Sequence, residues 1–228
     1  MDYSKWKSVD DYLSGMLVPD DPFLTETLQT NALAGLPAYD VSPLQGRLLY
    51  LLAKAIEAKS ILEIGTLGGY STIWLARALS SGGRLITLER NPDYAEIARR
   101  NLDRAGFSGP VEIRLGPAAQ SLAQLVSEGN GPFDLIFIDA DKANNPEYLG
   151  WSLKLSHAGT VIIGDNVVRN GDVADPTTPD PCVQGVRRFI DLLATNPRLS
   201  STVIQTVGCK GYDGFAIALV GPESLNII

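Results

Sequence analysis

Segments with strand-like and helix-like patterns alternate along this chain from residue 60 onward. Short apolar runs with the length of β-strands occur at 60–64, 84–88, 111–115, 133–138 and 160–163. The segments between these runs have the apolar spacing of helices and cover 70–79, 91–104, 118–125 and 146–155. Such alternation builds a parallel sheet with helices on both faces. The run at 133–138 is almost entirely apolar, which is typical of a strand in the middle of the sheet.

The end of the chain follows a different pattern. A helical segment at 183–194 precedes two strand-like runs, 201–207 and 215–220, which are joined only by the loop 208–214. Because a loop this short cannot cross over a sheet, the two strands must pair antiparallel. We therefore predict an α/β fold with a doubly wound, mostly parallel seven-stranded sheet that ends in an antiparallel hairpin.

The residues before the first strand are predicted to be helical. Pro19, Pro22 and Pro37 interrupt the first forty residues, and the stretch Ser42-Pro43-Leu44-Gln45 then has the pattern of a helix capping box. No repeat, low-complexity tract or Gly/Ser-rich linker divides the chain. We therefore expect a single domain over 1–228, with residues 1–40 as an extra N-terminal helical segment that serves as a lid or a dimer contact.

The composition excludes several classes of function. Among 228 residues there are only two cysteines and one histidine, which argues against a disulfide framework, a Cys-based zinc cluster and Ser-His-Asp catalysis. The formal net charge of −7 argues against nucleic acid or an anionic membrane as the main partner. With no signal peptide pattern and no apolar stretch of about 20 residues, we expect a cytoplasmic protein that acts on a small molecule.

A glycine-containing loop follows the first strand and begins the first helix of the sheet. Its sequence is Glu63-Ile64-Gly65-Thr66-Leu67-Gly68-Gly69, which lacks the Gly-x-Gly-x-x-Gly spacing of dinucleotide-binding loops. The acid at Glu63 would repel a pyrophosphate and suits a ligand with a cationic or hydrogen-bond-donating group. Glu89 ends the second strand, where a carboxylate commonly accepts hydrogen bonds from ribose hydroxyls. Turn glycines and surface acids are the alternative interpretation of these residues.

Acidic and amide side chains follow the fourth and fifth strands. Asp139 comes directly after one strand, and Asp165 and Asn166 after the next, so all three are expected at the same edge of the sheet. Three oxygen ligands suit magnesium, manganese or calcium. Lys142, one turn after Asp139, could reach a substrate oxygen there. The alternative is that these residues only end strands and cap helices, with the lysine offsetting part of the charge.

Together these motifs resemble a known enzyme family. From about residue 41 to 220 the chain is similar to the class I S-adenosylmethionine-dependent O-methyltransferases, within the cation-dependent branch of caffeoyl-CoA and catechol O-methyltransferases. The resemblance implies a Rossmann-like methyltransferase fold. The matching stretches are Val41-Ser42-Pro43-Leu44-Gln45-Gly46, Leu62-Glu63-Ile64-Gly65-Thr66, Gly69-Tyr70-Ser71, Leu88-Glu89, Phe137-Ile138-Asp139-Ala140-Asp141-Lys142 and Asp165-Asn166-Val167.

The resemblance also implies roles for individual residues. Glu89 would bind the ribose of S-adenosylmethionine, and Ala118 would lie against its adenine. The divalent cation, magnesium first and manganese or calcium as alternatives, would be held by Asp139, Asp165 and Asn166. Lys142 would be the catalytic base, assisted by Asp139 near the methionine end of the cofactor. The full set that would line the cofactor site is Val41, Glu63, Gly65, Thr66, Ser71, Glu89, Ala118 and Asp139.

The implied reaction transfers a methyl group to a hydroxyl of a small catechol-like substrate. A phenol has a pKa of about 10, so about one molecule in a thousand is ionised at neutral pH. A divalent cation would lower that pKa as a Lewis acid, and chelation by two vicinal hydroxyls would select the reacting oxygen. Lys142 could accept the proton, because a neighbouring cation disfavours the ammonium form. Relatives of this kind often form homodimers.

Two other functions remain as alternatives at this point. One is a nicotinamide-dependent oxidoreductase, which the glycine spacing, the acid at Glu63 and the terminal hairpin all oppose. The other is a non-catalytic relative that binds S-adenosylmethionine, since a fold does not guarantee an activity. The predicted cation ligands and Lys142 favour the enzyme.

Overall fold

Seven strands form one sheet in the computed structural model, which describes residues 2–222; Met1 and residues 223–228, which the single-domain prediction includes, lie outside the described residues. The order across the sheet is β3-β2-β1-β4-β5-β7-β6. Every strand except β7 runs in the same direction, and β7 is antiparallel to both of its neighbours. The predicted mostly parallel sheet with a terminal hairpin is confirmed. The strands are β1 (Ser60–Ile64), β2 (Arg84–Glu89), β3 (Val111–Leu115), β4 (Phe133–Ile138), β5 (Ser156–Asp165), β6 (Leu199–Gly208) and β7 (Gly211–Val220).

The helices begin where the sequence supplies caps. Asp21, Ser42, Asn91 and Asp180 each accept a hydrogen bond from a backbone N–H of the first turn, and a proline follows each of them. The α-helices are α1 (Tyr3–Leu17), α2 (Pro22–Leu33), α3 (Pro43–Ala55), α4 (Tyr70–Ala78), α5 (Pro92–Arg104), α6 (Ala118–Ser127), α7 (Asn145–Lys154) and α8 (Pro181–Thr195). Two 3-10 segments, Lys142–Asn144 and Arg169–Ala174, follow β4 and β5.

The sheet is buried on both faces. Along β1 the side chain of Ile61 packs into one hydrophobic cluster and that of Leu62 into a second, because successive side chains point to opposite faces. The same division applies to β4, where Phe137 joins the first cluster and Ile136 the second. Such two-sided burial explains why these strands are continuous apolar runs rather than alternating ones.

Two predicted strand starts are wrong by about four residues. The last strand begins at Gly211 and not at residue 215, because the predicted loop 208–214 is a tight turn whose flanking residues continue the ladder, with Gly208 paired to Gly211. The fifth strand begins at Ser156 and not at residue 160, because the polar stretch before Thr160 pairs with the start of β4 across an irregularity in the ladder. Thr160 holds this irregularity together, since its hydroxyl accepts from His157 N and donates to Phe133 O. The imidazole of His157 lies 3.0 Å from Asp134 Oδ1, at the end of β4 opposite to Asp139.

Within residues 2–222, no helix is both long enough and apolar enough to cross a membrane. The cytoplasmic location and the single-domain organisation inferred from the sequence stay predictions.

Candidate active site

The strand order reverses between β1 and β4, and the loops after these two strands are in direct contact. Ligands of open α/β sheets bind at such switch points, beyond the carboxyl ends of the strands. Gly65 has a φ of +106°, and a Cβ atom at this position would lie only 2.5 Å from the carbonyl oxygen of Asp139. Asp139 N in turn donates a hydrogen bond of 2.8 Å to Ile64 O. A glycine is therefore required at position 65 by both backbone conformation and space.

Glu63 lies behind this loop, fully buried beneath the first turn of α4. Its carboxylate accepts hydrogen bonds from the hydroxyls of Ser71 (2.6 Å), Thr72 (2.5 Å) and Thr87 (2.7 Å). Burial raises the pKa of Glu63 to about 7, against the effect of these hydrogen bonds. In this arrangement Glu63 fixes the start of α4 to the sheet. Direct contact of its carboxylate with a cofactor stays a prediction.

Glu89 connects the loops that follow β1 and β2. Its two carboxylate oxygens accept from the backbone N–H groups of Leu67 and Asn91, each at 2.8 Å. An ionised carboxylate offers about four acceptor positions, so further donors, such as ribose hydroxyls, can be accommodated. Thr66, the next predicted cofactor residue, is buried and lies 2.6 Å from the Thr87 hydroxyl.

Lys142 and Asp139 form an ion pair at the end of β4. Lys142 Nζ donates a hydrogen bond of 2.7 Å to Asp139 Oδ1, and the two side chains are 10% and 18% exposed. The turn that carries Lys142 is held by Asp141, which accepts from Asn144 Nδ2 and from the Tyr148 hydroxyl, both at 2.5 Å. Burial and the neighbouring Asp141 raise the pKa of Tyr148, so its hydroxyl stays a donor.

Asp165 ends β5 beside this ion pair. Burial and the negative charge of Asp139 raise the pKa of Asp165, while the positive charge of Lys142 opposes the shift. Asn166 N donates 2.8 Å to Asp165 Oδ1, and the backbone of Asn166 is left-handed, with a φ of 54°. The structure thus brings the two predicted acidic ligands into one electrostatic cluster with Lys142.

This cluster has the chemistry of a site for a hard divalent cation. The buried carboxylate of Asp165 and the partly exposed carboxylate of Asp139 repel each other, and a cation bound between them would offset both that repulsion and the cost of burial. Oxygen donors are also the ligands that magnesium, manganese and calcium prefer. Within residues 2–222, no group of three or more His, Cys, Asp or Glu side chains is placed to hold a metal. The predicted set, Asp139, Asp165 and Asn166, consists of two carboxylates and one amide.

The loop after Asn166 depends on Asp213 of β7, a residue that the sequence analysis did not select. Asp213 Oδ1 accepts from the backbone N–H groups of Val168 and Arg169, both at 3.0 Å. Arg169 and Asn170 have left-handed φ values of 56° and 58°, which non-glycine residues rarely adopt. Nothing in the hairpin sequence around Asp213 signals this contact, because its partners lie 44 and 45 positions earlier.

Val41 and Ala118, the remaining predicted cofactor residues, lie at the starts of two helices. Val41 precedes α3 and is buried in the same hydrophobic cluster as Tyr70 at the start of α4. Ala118 is the first residue of α6 and packs against the cluster on the other face of the sheet. Ala118 begins the helix that follows β3, which places it at the carboxyl end of that strand. Contact of either residue with a cofactor stays a prediction.

Comparison with known proteins identifies the family. The sequence profile of the O-methyltransferase family matches residues 16–219, most of the chain. The chain belongs to the O-methyltransferase family. It is therefore an enzyme, and the resemblance to S-adenosylmethionine-dependent O-methyltransferases found in the sequence is confirmed. The family assignment also decides against the nicotinamide-dependent alternative.

Individual O-methyltransferases are similar over nearly their whole length. The catechol O-methyltransferase of Niastella koreensis is 53% identical, with 94% of this chain and 97% of that protein covered. The catechol O-methyltransferase of Mycobacterium tuberculosis is 50% identical, with 93% and 94% covered. The crystal structure of an O-methyltransferase from Bacillus cereus in complex with SAH (S-adenosylhomocysteine) has a TM-score of 0.95 and 60% identity, covering 96% of this chain and 99% of that one.

Proposed function

We propose that this O-methyltransferase transfers a methyl group from S-adenosylmethionine to one hydroxyl of a vicinal diphenol, with the help of a divalent cation. The observation that carries the assignment is the buried cluster of Asp139, Lys142 and Asp165 next to the glycine loop. The names of the two catechol O-methyltransferases, at 53% and 50% identity, support the acceptor class. The B. cereus complex supports the donor, since SAH is S-adenosylmethionine without its methyl group.

The cofactor is proposed to bind in the loop after β1. S-adenosylmethionine supplies an electrophilic methyl group on a sulfonium. Gly65 lets the backbone of the loop approach the cofactor closely. Glu89 accepts a hydrogen bond from Leu67 N and keeps further acceptor positions for the two ribose hydroxyls of the cofactor. The unpaired N–H groups of the first turn of α4 offer a positive potential to the carboxylate of the cofactor. Glu63 and Ser71 keep this turn in place.

Asp139, Asp165 and Asn166 are proposed to hold the divalent cation, magnesium first and manganese or calcium as alternatives. When bound there, such a cation supplies a Lewis acid that lowers the pKa of a substrate hydroxyl. Within residues 2–222, no hydrogen bond occupies the side-chain amide of Asn166, so its oxygen is available as a ligand.

Lys142 is proposed to receive the proton of the reacting hydroxyl at Nζ as the neutral amine, a form that a divalent cation held by Asp139 and Asp165 would favour by taking the place of the ammonium beside these carboxylates. The hydrogen bond to Asp139 holds Nζ beside the cluster, and the bond between Asn144 and Asp141 holds the turn that carries Lys142. Proton transfer to a positioned side chain contributes typically about 10²–10⁴-fold to a rate. Lys142 and Asp165 are both buried, and electrostatic interactions between charges are stronger in such surroundings than in water.

A screen of phenols with and without a chelator tests the assignment. We expect methylated products from catechol and caffeate-like diphenols, identified by mass, and none from phenol, which lacks the second hydroxyl. EDTA should abolish turnover and excess magnesium should restore it. Full turnover in EDTA would contradict the cation requirement. Methylation of phenol at the rate of catechol would contradict the diphenol requirement.

We also propose that two copies of the chain associate. No residue of α1 is buried, and Tyr12 and Met16 are 67% and 69% exposed. β6, which contacts α1, lies at the edge of the sheet and is exposed along nearly its whole length. An exposed sheet edge with apolar side chains favours pairing with another chain. Light scattering after gel filtration should give the mass of a dimer, and a monomer mass at assay concentration would contradict this proposal.

A further inference from the structure

Two buried asparagines connect the N-terminal helices to the glycine loop. Asn101 of α5 donates through Nδ2 to Gly68 O at 2.8 Å and to Asn31 Oδ1 at 3.0 Å. Asn31 of α2 donates through its own Nδ2 to Asp40 Oδ1, again at 3.0 Å. We call the chain Gly68–Asn101–Asn31–Asp40 the asparagine relay. The two asparagines are 0% and 2% exposed, so water does not compete for these hydrogen bonds.

The asparagine relay is tightly packed and its members have few alternatives. A Cβ atom on residue 68 would lie 2.0 Å from Asn31 Oδ1. The side-chain oxygen of Asn101 also has a partner, since it accepts a hydrogen bond of 2.7 Å from Arg104 Nη2. Because a buried amide left without a partner is destabilising, each bond of the relay favours the presence of the others.

The far end of the asparagine relay lies in the segment 34–41, which we call the strap. Burial raises the pKa of Asp40, and the negative charge of Asp139 adds to this shift. The tip of the β6–β7 hairpin fixes the strap from the other side, since Lys210 Nζ donates 3.0 Å to Ala38 O. Val41, the predicted cofactor contact, directly follows Asp40.

We propose that the asparagine relay couples the strap to the glycine loop, so that docking of the strap and binding of the cofactor are a single event. Asn31 and Asn101 are then positioning residues for S-adenosylmethionine, although neither lies in the loop that binds it. This inference rests on the proposed function, in which the loop after β1 holds the cofactor. If only molecules with a docked strap bind the cofactor, the apparent affinity for the cofactor is proportional to the fraction of molecules whose strap is docked.

An exchange of side chains between positions 31 and 40 tests the coupling. Asn31→Asp keeps the acceptor for Asn101 but places two carboxylates against each other, so the bond to Asp40 is lost. Adding Asp40→Asn restores a hydrogen bond with reversed polarity and the original net charge. We expect Asn31→Asp to weaken SAH binding about tenfold, measured by calorimetry, and the double variant to recover most of that loss. The matched control is Gln29→Ala, an exposed position on the same helix, with unchanged affinity.

Equal affinity of Asn31→Asp and the wild type, or no recovery in the double variant, would overturn the coupling. Hydrogen exchange on the wild-type protein covers the case in which a variant does not fold. Adding SAH should slow exchange in both 65–69 and 34–41. Protection of 65–69 alone would overturn the coupling and leave the proposed function intact. A wild-type protein that does not bind SAH would overturn the proposed function itself.

Discussion

Lys142 Nζ lies 2.7 Å from Asp139 Oδ1, and both side chains are largely shielded from solvent. The same lysine opposes the negative potential that Asp139 exerts on Asp165. One cation of the chain thus compensates two carboxylates at the end of the sheet. Lys142 therefore has an electrostatic role as the ammonium, whereas the proposed proton transfer needs the neutral amine, and experiments must separate the two.

Lys142→Ala should reduce turnover about 10²–10⁴-fold, because the acceptor for the substrate proton is removed. Its effect on SAH affinity should stay within about twofold, since within residues 2–222 the Lys142 side chain pairs with Asp139 and with no residue of the loop after β1. Steady-state kinetics and calorimetry measure the two quantities. Lys154→Ala, at an exposed position of α7, is the control with unchanged turnover. Equal losses of turnover and affinity would contradict a role in proton transfer.

Asp165→Asn should separate cation binding from stability. Loss of a residue that supports a metal ligand typically weakens metal binding by about 10–100-fold. Because Asp165 is itself a proposed ligand, Asp165→Asn should weaken manganese binding by more than that, as measured by electron paramagnetic resonance. In EDTA the same variant should unfold at a higher temperature than the wild type, because a buried like-charged pair is removed. Asp191→Asn, an exposed position of α8, should change neither quantity. A lower unfolding temperature in EDTA would contradict the repulsion between Asp139 and Asp165.

The sequence was sufficient to predict that Asp139 and Asp165 meet. Both follow apolar runs of neighbouring parallel strands, and the geometry of such sheets places their ends at one edge. Contacts between distant segments were not predictable in this way. The bond between Asn31 and Asn101 joins residues 70 positions apart, on helices whose relative position is set by packing of the whole fold. Its residue types, taken singly, are typical of exposed helix faces.

The position of Glu63 shows the same limit within the site. Its place at the end of β1 was predictable, but its surroundings were not, because Thr87 lies 24 positions away on β2. Alternation along β1 points Glu63 to the same face as Ile61, which is buried in a hydrophobic cluster. A carboxylate in that position is expected to be buried as well, and only the fold supplies the three hydroxyls that satisfy it.

Glu63→Gln should change how stability depends on pH. The folded state raises the pKa of Glu63 from 4.5 to about 7, so the folded protein binds this proton more tightly than the unfolded chain. The contribution of this protonated carboxyl group to the free energy of unfolding is fully present below pH 4.5 and is lost as the pH rises through about 7. In total it is on the order of 3 kcal/mol. Denaturant unfolding from pH 4.5 to 8 should show a flatter profile for the variant. Parallel profiles for the two proteins would contradict the raised pKa.

Gly65→Ala should be far more damaging than an alanine at another left-handed glycine. Gly65 has a φ of +106° and its Cβ would meet Asp139 O at 2.5 Å, whereas Gly82 has a φ of +74° and open space around it. We expect Gly82→Ala to cost about 1–2 kcal/mol of stability and to leave SAH affinity unchanged. Gly65→Ala adds overpacking, about 1–3 kcal/mol more, and should abolish SAH binding. Similar losses for the two variants would show that close packing at Gly65 is unimportant.

Asp213→Ala should weaken the cation site without any loss of a ligand. Asp213 Oδ1 accepts from Val168 N and Arg169 N, and so holds the loop that begins at Asn166 in its left-handed conformations. Without that acceptor, the backbone N–H groups of Val168, Arg169 and Gly214 lose this partner and the strained residues can relax toward ordinary conformations, which moves Asn166. Manganese affinity should fall about tenfold while SAH affinity stays constant.

Asp213→Asn is the matched variant, because an amide oxygen can still accept both hydrogen bonds. It should therefore keep manganese affinity within about threefold of the wild type, since neutral hydrogen bonds are only moderately weaker than charged ones. If the alanine variant binds manganese as tightly as the asparagine variant does, the loop does not need Asp213 to position Asn166. If both variants lose affinity equally, the charge of Asp213 matters and not the hydrogen bonds that it accepts from Val168 N and Arg169 N.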